Sequence, residues 1–205
     1  ELIIGEDCSQ DNTRAIALVY QRNYPQLIRL VYSDGNLGNY DNTNRCFIKT
    51  RGEFVAYCEG DDYWCDPLNL KKQVDFLRAN PDYGLVHSDC FYLVKVIGVW
   101  LPIRHMKRNR HGFIPQGDIF SKLIRKMFIN TCTVMCRKSL LIQHYSSKLR
   151  SPDNPVADRP LVLHLSKLSK IGFLNQPLAV YRRTPGSFTN SGYVSLLMTH
   201  KKIIE

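Results

Sequence analysis

The stretch Gly52-Glu53-Phe54-Val55-Ala56-Tyr57-Cys58-Glu59-Gly60-Asp61-Asp62-Tyr63-Trp64 limits the fold more than any other. Its aromatic and β-branched run from Phe54 to Cys58 reads as a buried strand. Glu59, Asp61 and Asp62 follow where that strand ends, and Asp66-Pro67 then opens a helical pattern. Carboxylates this close repel one another, and an exposed loop or a bound cation relieves them. In open α/β sheets, ligands bind outside the carboxyl ends of the strands. Asp61 and Asp62 are therefore expected at a metal and phosphate site.

The chain before this stretch alternates. Glu1–Glu6 reads as a strand, and the turn Glu6–Thr13 is rich in helix-cap formers. Ile16, Val19 and Tyr20 mark a helix that stops near Pro25. Leu27–Tyr32 reads as a second strand, Ser33–Asn39 as a glycine-containing loop, and Tyr40–Lys49 as a helix with Asn44 turned inward or toward a ligand. Strand, helix, strand, helix, strand is the pattern of a parallel sheet with crossover helices.

Beyond the acids, Leu70, Val74 and Leu77 mark a helix ending at Asn80-Pro81. Gly84–Asp89 reads as a strand, with Phe91–Val96 beside it. Ile97–Gln116 reads as a long loop, Asp118–Met127 as a helix, Thr131–Cys136 as a strand and Ser139–Tyr145 as a short helix. Asp158 is placed to cap a helix over Leu161–Leu168. Ile171–Leu174 and Leu178–Arg182 read as short strands, and the tail from Ser191 as helical.

Composition narrows the partners. The chain has 205 residues, enough for a real core, and a net charge of +10 that favours anionic partners. Part of that charge is the run Arg104–His111. No apolar stretch approaches the ~20 residues of a membrane helix. There is no signal peptide and no initiator Met, so the chain is expected to be a piece whose start lies upstream of Glu1. Seven cysteines without a C-x-x-C point to reduced thiols and a cytoplasmic setting. No stacking aromatics interleave with the basic run, so no nucleic-acid partner is expected.

In order and spacing, the chain resembles the family 2 glycosyltransferases of the GT-A fold. The resemblance is carried by Glu1–Thr13, Asn36-Leu37-Gly38, Asn44, Gly52–Tyr57, Asp61-Asp62, Pro67, Gln73 and Asn80-Pro81. It continues through Thr131–Met135, Ala157-Asp158, Ile171–Leu174 and Tyr181-Arg182. The implied fold is α/β, a Rossmann-like, mixed, mostly parallel sheet flanked by helices. Measured against that family, the chain is expected to lack the first strand–helix unit, whose turn lines the nucleoside pocket. The resemblance implies a single GT-A domain over residues 1–205. Residues 1–89 would bind the nucleotide sugar and residues 90–205 the acceptor.

The implied reaction is transfer of a sugar from a nucleotide-diphosphate donor to an acceptor hydroxyl. It is expected to invert, to depend on Mn²⁺ or Mg²⁺, and to serve polysaccharide or glycoconjugate synthesis. Asp7 matches the acid that binds the donor base, and Asn36 and Asn44 join it on the donor side. Asp61 matches the acid near the ribose or sugar, Asp62 the cation ligand and Asp158 the catalytic base. The family often carries a His after the Tyr-Arg pair; Thr184 stands there, leaving Arg182 or Arg183 to hold phosphate. Trp64, Asp89 and Thr131 are candidates for the acceptor side. The acceptor would be a glycan or a lipid-linked group, with peripheral association at the inner membrane surface.

General chemistry supports the same roles. A hard divalent cation held by oxygen ligands offsets the charge that grows on a departing diphosphate. One-step inversion needs a base opposite the leaving group. Plainer readings stand beside these. Asp61-Asp62 could be a solvated turn, Asp158 an ordinary N-cap with Asp153 nearby, Asp7 a turn former, and each Asn simple turn chemistry. His87 reads as a core or rim histidine, and Trp64 as either packing or a sugar platform. A rival for the whole chain is a non-catalytic remnant that binds an anionic glycan or membrane surface through Arg104–His111.

Overall fold

The computed structural model describes residues 1–96, 99–104, 114–147 and 158–183. Their packing separates residues 1–52 from the described residues that follow, giving two compact units.

The first unit is β1 (Leu2–Glu6), α1 (Thr13–Asn23), β2 (Ile28–Tyr32) and α2 (Gly38–Lys49). The strands pair in parallel, with Leu2 opposite Ile28 and Glu6 opposite Tyr32. Such pairing requires a crossover, which α1 supplies. The alternation expected from the sequence is present. The expected inner face of α1 is not: Ile16, Val19 and Tyr20 are exposed, and Ala17 is the buried residue of that helix. A two-stranded sheet is too narrow to cover a wider apolar stripe.

The second unit opens with β3 (Phe54–Ala56), β4 (Tyr63–Trp64) and α3 (Asn69–Ala79). A hairpin of β5 (Tyr83–Val96) and β6 (Val99–Arg104) follows. Then come α4 (Phe120–Arg125), β7 (Met135–Arg137), α5 (Lys138–Tyr145), α6 (Asp158–Leu168) and β8 (Lys170–Arg182). The sheet runs β3-β7-β5-β8-β4, with β6 also on β5. β5 and β8 are parallel, and β7 lies antiparallel to both β3 and β5. Leu77, Leu85, Leu165, Ile171 and Leu178 are completely buried. At Gly172 a side chain would collide with the Phe76 ring, so its smallness lets α3 lie close on the sheet.

Several sequence expectations change. β5 and β8 are each one long strand instead of two short ones. Their register shifts around Ser88, Asp89 and Cys90, and Pro177 sits opposite Asp89. Such irregularities absorb the polar residues and the proline that read as breaks. Part of the expected Ile97–Gln116 loop is strand β6, whose Pro102 is tolerated because the strand is an edge. The expected Thr131–Cys136 strand begins as a 3-10 turn, Thr131–Thr133. Trp64 Nε1 donates to the Cys132 carbonyl at 3.1 Å and Gln73 Nε2 to the Thr133 carbonyl at 2.7 Å. Those side chains take the acceptors that a strand partner would otherwise use. Most of the basic run 104–111 and the tail from Ser191 lie outside the described residues.

Candidate active site

In the first unit the site residues gather at the head of α2. Gly38 has a φ of 82°, a conformation glycine adopts without a Cβ penalty. Its N–H donates to Asp7 Oδ2 at 2.7 Å, and the Leu37 N–H donates to Asp7 Oδ1 at 3.0 Å. Asp7 thus satisfies donors that a helix N-terminus leaves open, where the helix dipole favours an anion. Arg45 Nη2 lies 3.5 Å from the same carboxylate. Asn36 Oδ1 accepts the Gly38 N–H at 3.1 Å, so Asn36 and Asp7 share one mouth. Asn44 is half-buried farther along α2. Cys8, directly after Asp7, is held at a φ of 62°, rare for a residue with a side chain.

Below this mouth, buried Glu6 accepts from Arg14 Nε at 2.5 Å and from the Ser9 N–H at 2.6 Å. Desolvation would raise the Glu6 pKa, but the Ser9 and Arg14 hydrogen bonds outweigh it and hold it below the usual range. Arg14 also donates to the Ser33 carbonyl.

In the second unit the acids follow β3, which stops at Ala56. The Asp62 N–H donates to the Glu59 carbonyl at 3.0 Å, closing a tight turn into β4. β4 is anchored by pairing Tyr63 with Val180 and Trp64 with Ala179. Asp61 is exposed on the turn, while Asp62 is half-buried. Asp62 Oδ1 accepts the Arg182 backbone N–H at 2.8 Å. Its Oδ2 is buried without a hydrogen-bond partner. The Cys132 thiol is close but makes no hydrogen bond of ordinary geometry to it. Burial first, and the Asp62 charge next, push that thiol's pKa far up. Desolvation likewise raises the Asp62 pKa against the pull of the Arg182 N–H.

A buried carboxylate oxygen with no donor is costly, and a hard cation is a natural complement to it. Among the described residues no three His, Cys, Asp or Glu side chains converge on a common metal position. A cation here would take Asp62 as its protein ligand and draw its other oxygens from phosphate and water, as Mg²⁺-type sites do.

Asp158 begins α6, packed against the same region. Its Oδ1 accepts the Arg159 N–H at 2.7 Å and its Oδ2 the Thr131 hydroxyl at 3.1 Å. Glu59, assigned no role from the sequence, stands close to both. Desolvation, followed by the charges of Asp62 and Asp158, pushes its pKa up to about 7. The residue as a whole stays exposed. The signal was present in the sequence as an acid two residues before Asp61, but its direction of projection was not.

The remaining candidates fall into place individually. Arg182 stacks toward Tyr63, with its Cζ 5.9 Å from the ring centroid, and its buried Nε has no partner. Arg183 is exposed beside Tyr92. Trp64 is half-buried against the Cys90, Cys132 and Ala179 cluster. Asp89 is fully buried, its Oδ1 accepting the Cys90 N–H at 2.8 Å. His87 is fully buried between Phe128 and Phe173, and neither ring nitrogen has a hydrogen-bond partner. All seven cysteines are free thiols. Among the described residues no helix is long and apolar enough to cross a membrane.

The model of the family described as glycosyl transferase family 2 matches residues 1–141, a span that contains Asp7, Asp61, Asp62 and Thr131. The chain belongs to glycosyl transferase family 2. Rv1520, an uncharacterized protein of Mycobacterium tuberculosis, is 43% identical over 202 residues, covering 94% of this chain and 53% of that protein. The chain therefore spans about half the length of that relative. TuaG of Bacillus subtilis, a putative teichuronic acid biosynthesis glycosyltransferase, is 27% identical over 201 residues, covering 93% of this chain and 70% of TuaG. In fold, the chain matches the mannosyltransferase PcManGT of Pyrobaculum calidifontis, solved with GDP-Man and Mn²⁺. That match has a TM-score of 0.69 at 17% identity and covers the whole chain and 55% of PcManGT. The family 2 chain thus carries the mixed α/β GT-A fold expected from its sequence, but its larger sheet is mostly antiparallel, β5 with β8 being the parallel pair, where a mostly parallel one was expected.

Proposed function

We propose that the chain is the donor-binding and catalytic part of a glycosyltransferase that moves a sugar from a nucleoside diphosphate to an acceptor hydroxyl, with inversion. The observation that carries this reading is Asp62, with one oxygen pinned to the Arg182 N–H and the other buried without a partner. Residues 1–89 serve the donor and residues 90–205 the acceptor. Asp7, Asn36 and Asn44 act on the nucleoside, Asp61 near the ribose or sugar, and Arg182 or Arg183 on phosphate. Trp64 and Thr131 belong to the acceptor side, whereas Asp89, expected there from the sequence, is fully buried and presents no surface to an acceptor.

Asp158 accepts the proton of the acceptor hydroxyl as that oxygen attacks the anomeric carbon. The bond from that carbon to the β-phosphate oxygen breaks on the opposite face, and the electron pair leaves with the nucleoside diphosphate. A Mn²⁺ or Mg²⁺ ion held by Asp62 would supply charge neutralisation for that leaving group. Asp158 suits its role because it opens α6, where its carboxylate is oriented by the Arg159 N–H and the Thr131 hydroxyl. The likeness to TuaG, a putative teichuronic acid biosynthesis glycosyltransferase, supports a role in polysaccharide or glycoconjugate synthesis. The acceptor in this reading is a glycan or lipid-linked group at the cytoplasmic membrane surface. Asp62→Ala and Asp158→Ala variants of the full-length protein test the reading. Each should lose transfer by on the order of a hundredfold or more. Wild-type rates in both would overturn it.

A further inference from the structure

We infer that Thr131 is a positioning residue for Asp158, fixing its carboxylate in the orientation that receives the acceptor's proton. The inference rests on the reading of Asp158 as the base. A carboxylate offers about four acceptor directions. Two are occupied: one by the Arg159 N–H within α6, the other by the Thr131 hydroxyl from a separate element. The backbone bond alone leaves the carboxyl torsion broad, because Asp χ2 has no sharp wells. A second bond, from outside the helix, selects one orientation and leaves the remaining lone pairs for the acceptor.

The element that carries Thr131 is built to hold still. The Val134 N–H closes the turn onto the Thr131 carbonyl at 3.0 Å, and Thr133 Oγ1 bonds the Asn130 carbonyl at 2.7 Å. Trp64 and Gln73 clamp the carbonyls of Cys132 and Thr133. Glu59 stands beside the same hydroxyl. Nothing else among the described residues donates to Asp158 Oδ2.

The test uses the full-length protein with Mn²⁺ and a panel of UDP- and GDP-sugars, reading release of nucleoside diphosphate. Thr131→Val should lower kcat on the order of tenfold or more while leaving the donor KM unchanged, in keeping with one lost hydrogen bond to a charged group. Thr131→Ser, which keeps the hydroxyl, should restore kcat. In an Asp158→Asn background, Thr131→Val should cause no further loss. A Thr131→Val enzyme with wild-type kcat, beside an impaired Asp158→Asn, would overturn the positioning role alone. So would a Thr131→Ser variant as slow as Thr131→Val. An Asp158→Asn enzyme at wild-type rate, or a protein that releases diphosphate from no donor, would overturn the transfer reading, and this inference with it.

Discussion

The two units solve the problem of holding a carboxylate in opposite ways. In residues 1–52 the buried side chains are few, namely Glu6, Ala17 and Ile28, and the acids Glu6 and Asp7 are fully engaged. Glu6 is locked to Arg14 and Ser9, and Asp7 caps α2 with both oxygens. In the second unit, an extensive apolar core does the holding, and the acids are left partly unmatched. Asp62 keeps a buried oxygen without a hydrogen-bond partner, and Glu59 is pushed toward neutrality beside Asp158. Where polar groups supply the rigidity they are used up by it. Where the core supplies it, charged groups can be held in reserve for a ligand.

The largest expected effect falls on the core. Leu165→Ala, at a completely buried position of α6, should destabilise the protein by about 2–5 kcal/mol in denaturant unfolding. A loss below about 1 kcal/mol would mean that the second unit is not held by its core.

His87 gives a pH signature of the same core. Burial pushes its pKa down to about 3 from the ordinary 6.5. Between those values the unfolded chain binds a proton that the folded chain does not. Stability should therefore fall as pH drops from about 6.5 toward 3, by on the order of a few kcal/mol. His87→Leu should flatten that part of the stability profile. An unchanged slope would show that the imidazole is not kept neutral by the core.

A smaller effect tests the polar unit. Arg14→Ala leaves Glu6 buried and short of a partner, and should cost about 1–3 kcal/mol. The folded pKa of Glu6 is lowered, so its contribution is present above the ordinary carboxylate range and is lost as pH falls through the lowered value. Arg14→Ala should weaken that dependence. The smallest effect belongs to α1: Ile16→Ser, on an exposed face, should stay within about 0.5 kcal/mol of wild type. A cost like that of Leu165→Ala would erase the contrast between the units.

Much of this was legible in the sequence, for identifiable reasons. The order β1-α1-β2-α2-β3 was readable because each boundary carries local turn and cap residues, such as Pro25 and Gly38. The acids at the end of β3 were readable because an apolar run meets like charges there. What local pattern could not give was long-range. The continuity of β5 and β8 depends on register shifts opposite Asp89 and Pro177, which no local window reveals. The 3-10 turn at Thr131 depends on Trp64 and Gln73, far away in the chain. The bond from Thr131 to Asp158 needs both of those outcomes at once, and so does the place of Glu59 beside them.

The central claim is that Asp62 keeps its buried oxygen for a cation that binds the donor diphosphate. Equilibrium titration of the full-length protein with UDP and GDP, with and without Mn²⁺, tests it most directly. Wild type should bind one of them at least tenfold more tightly with Mn²⁺, and Asp62→Asn should lose that gain. Asp66→Asn, at an acid already committed to Lys72 and the Leu68 N–H, should keep it. An Asp62→Asn protein whose binding responds to Mn²⁺ as wild type does would contradict the account.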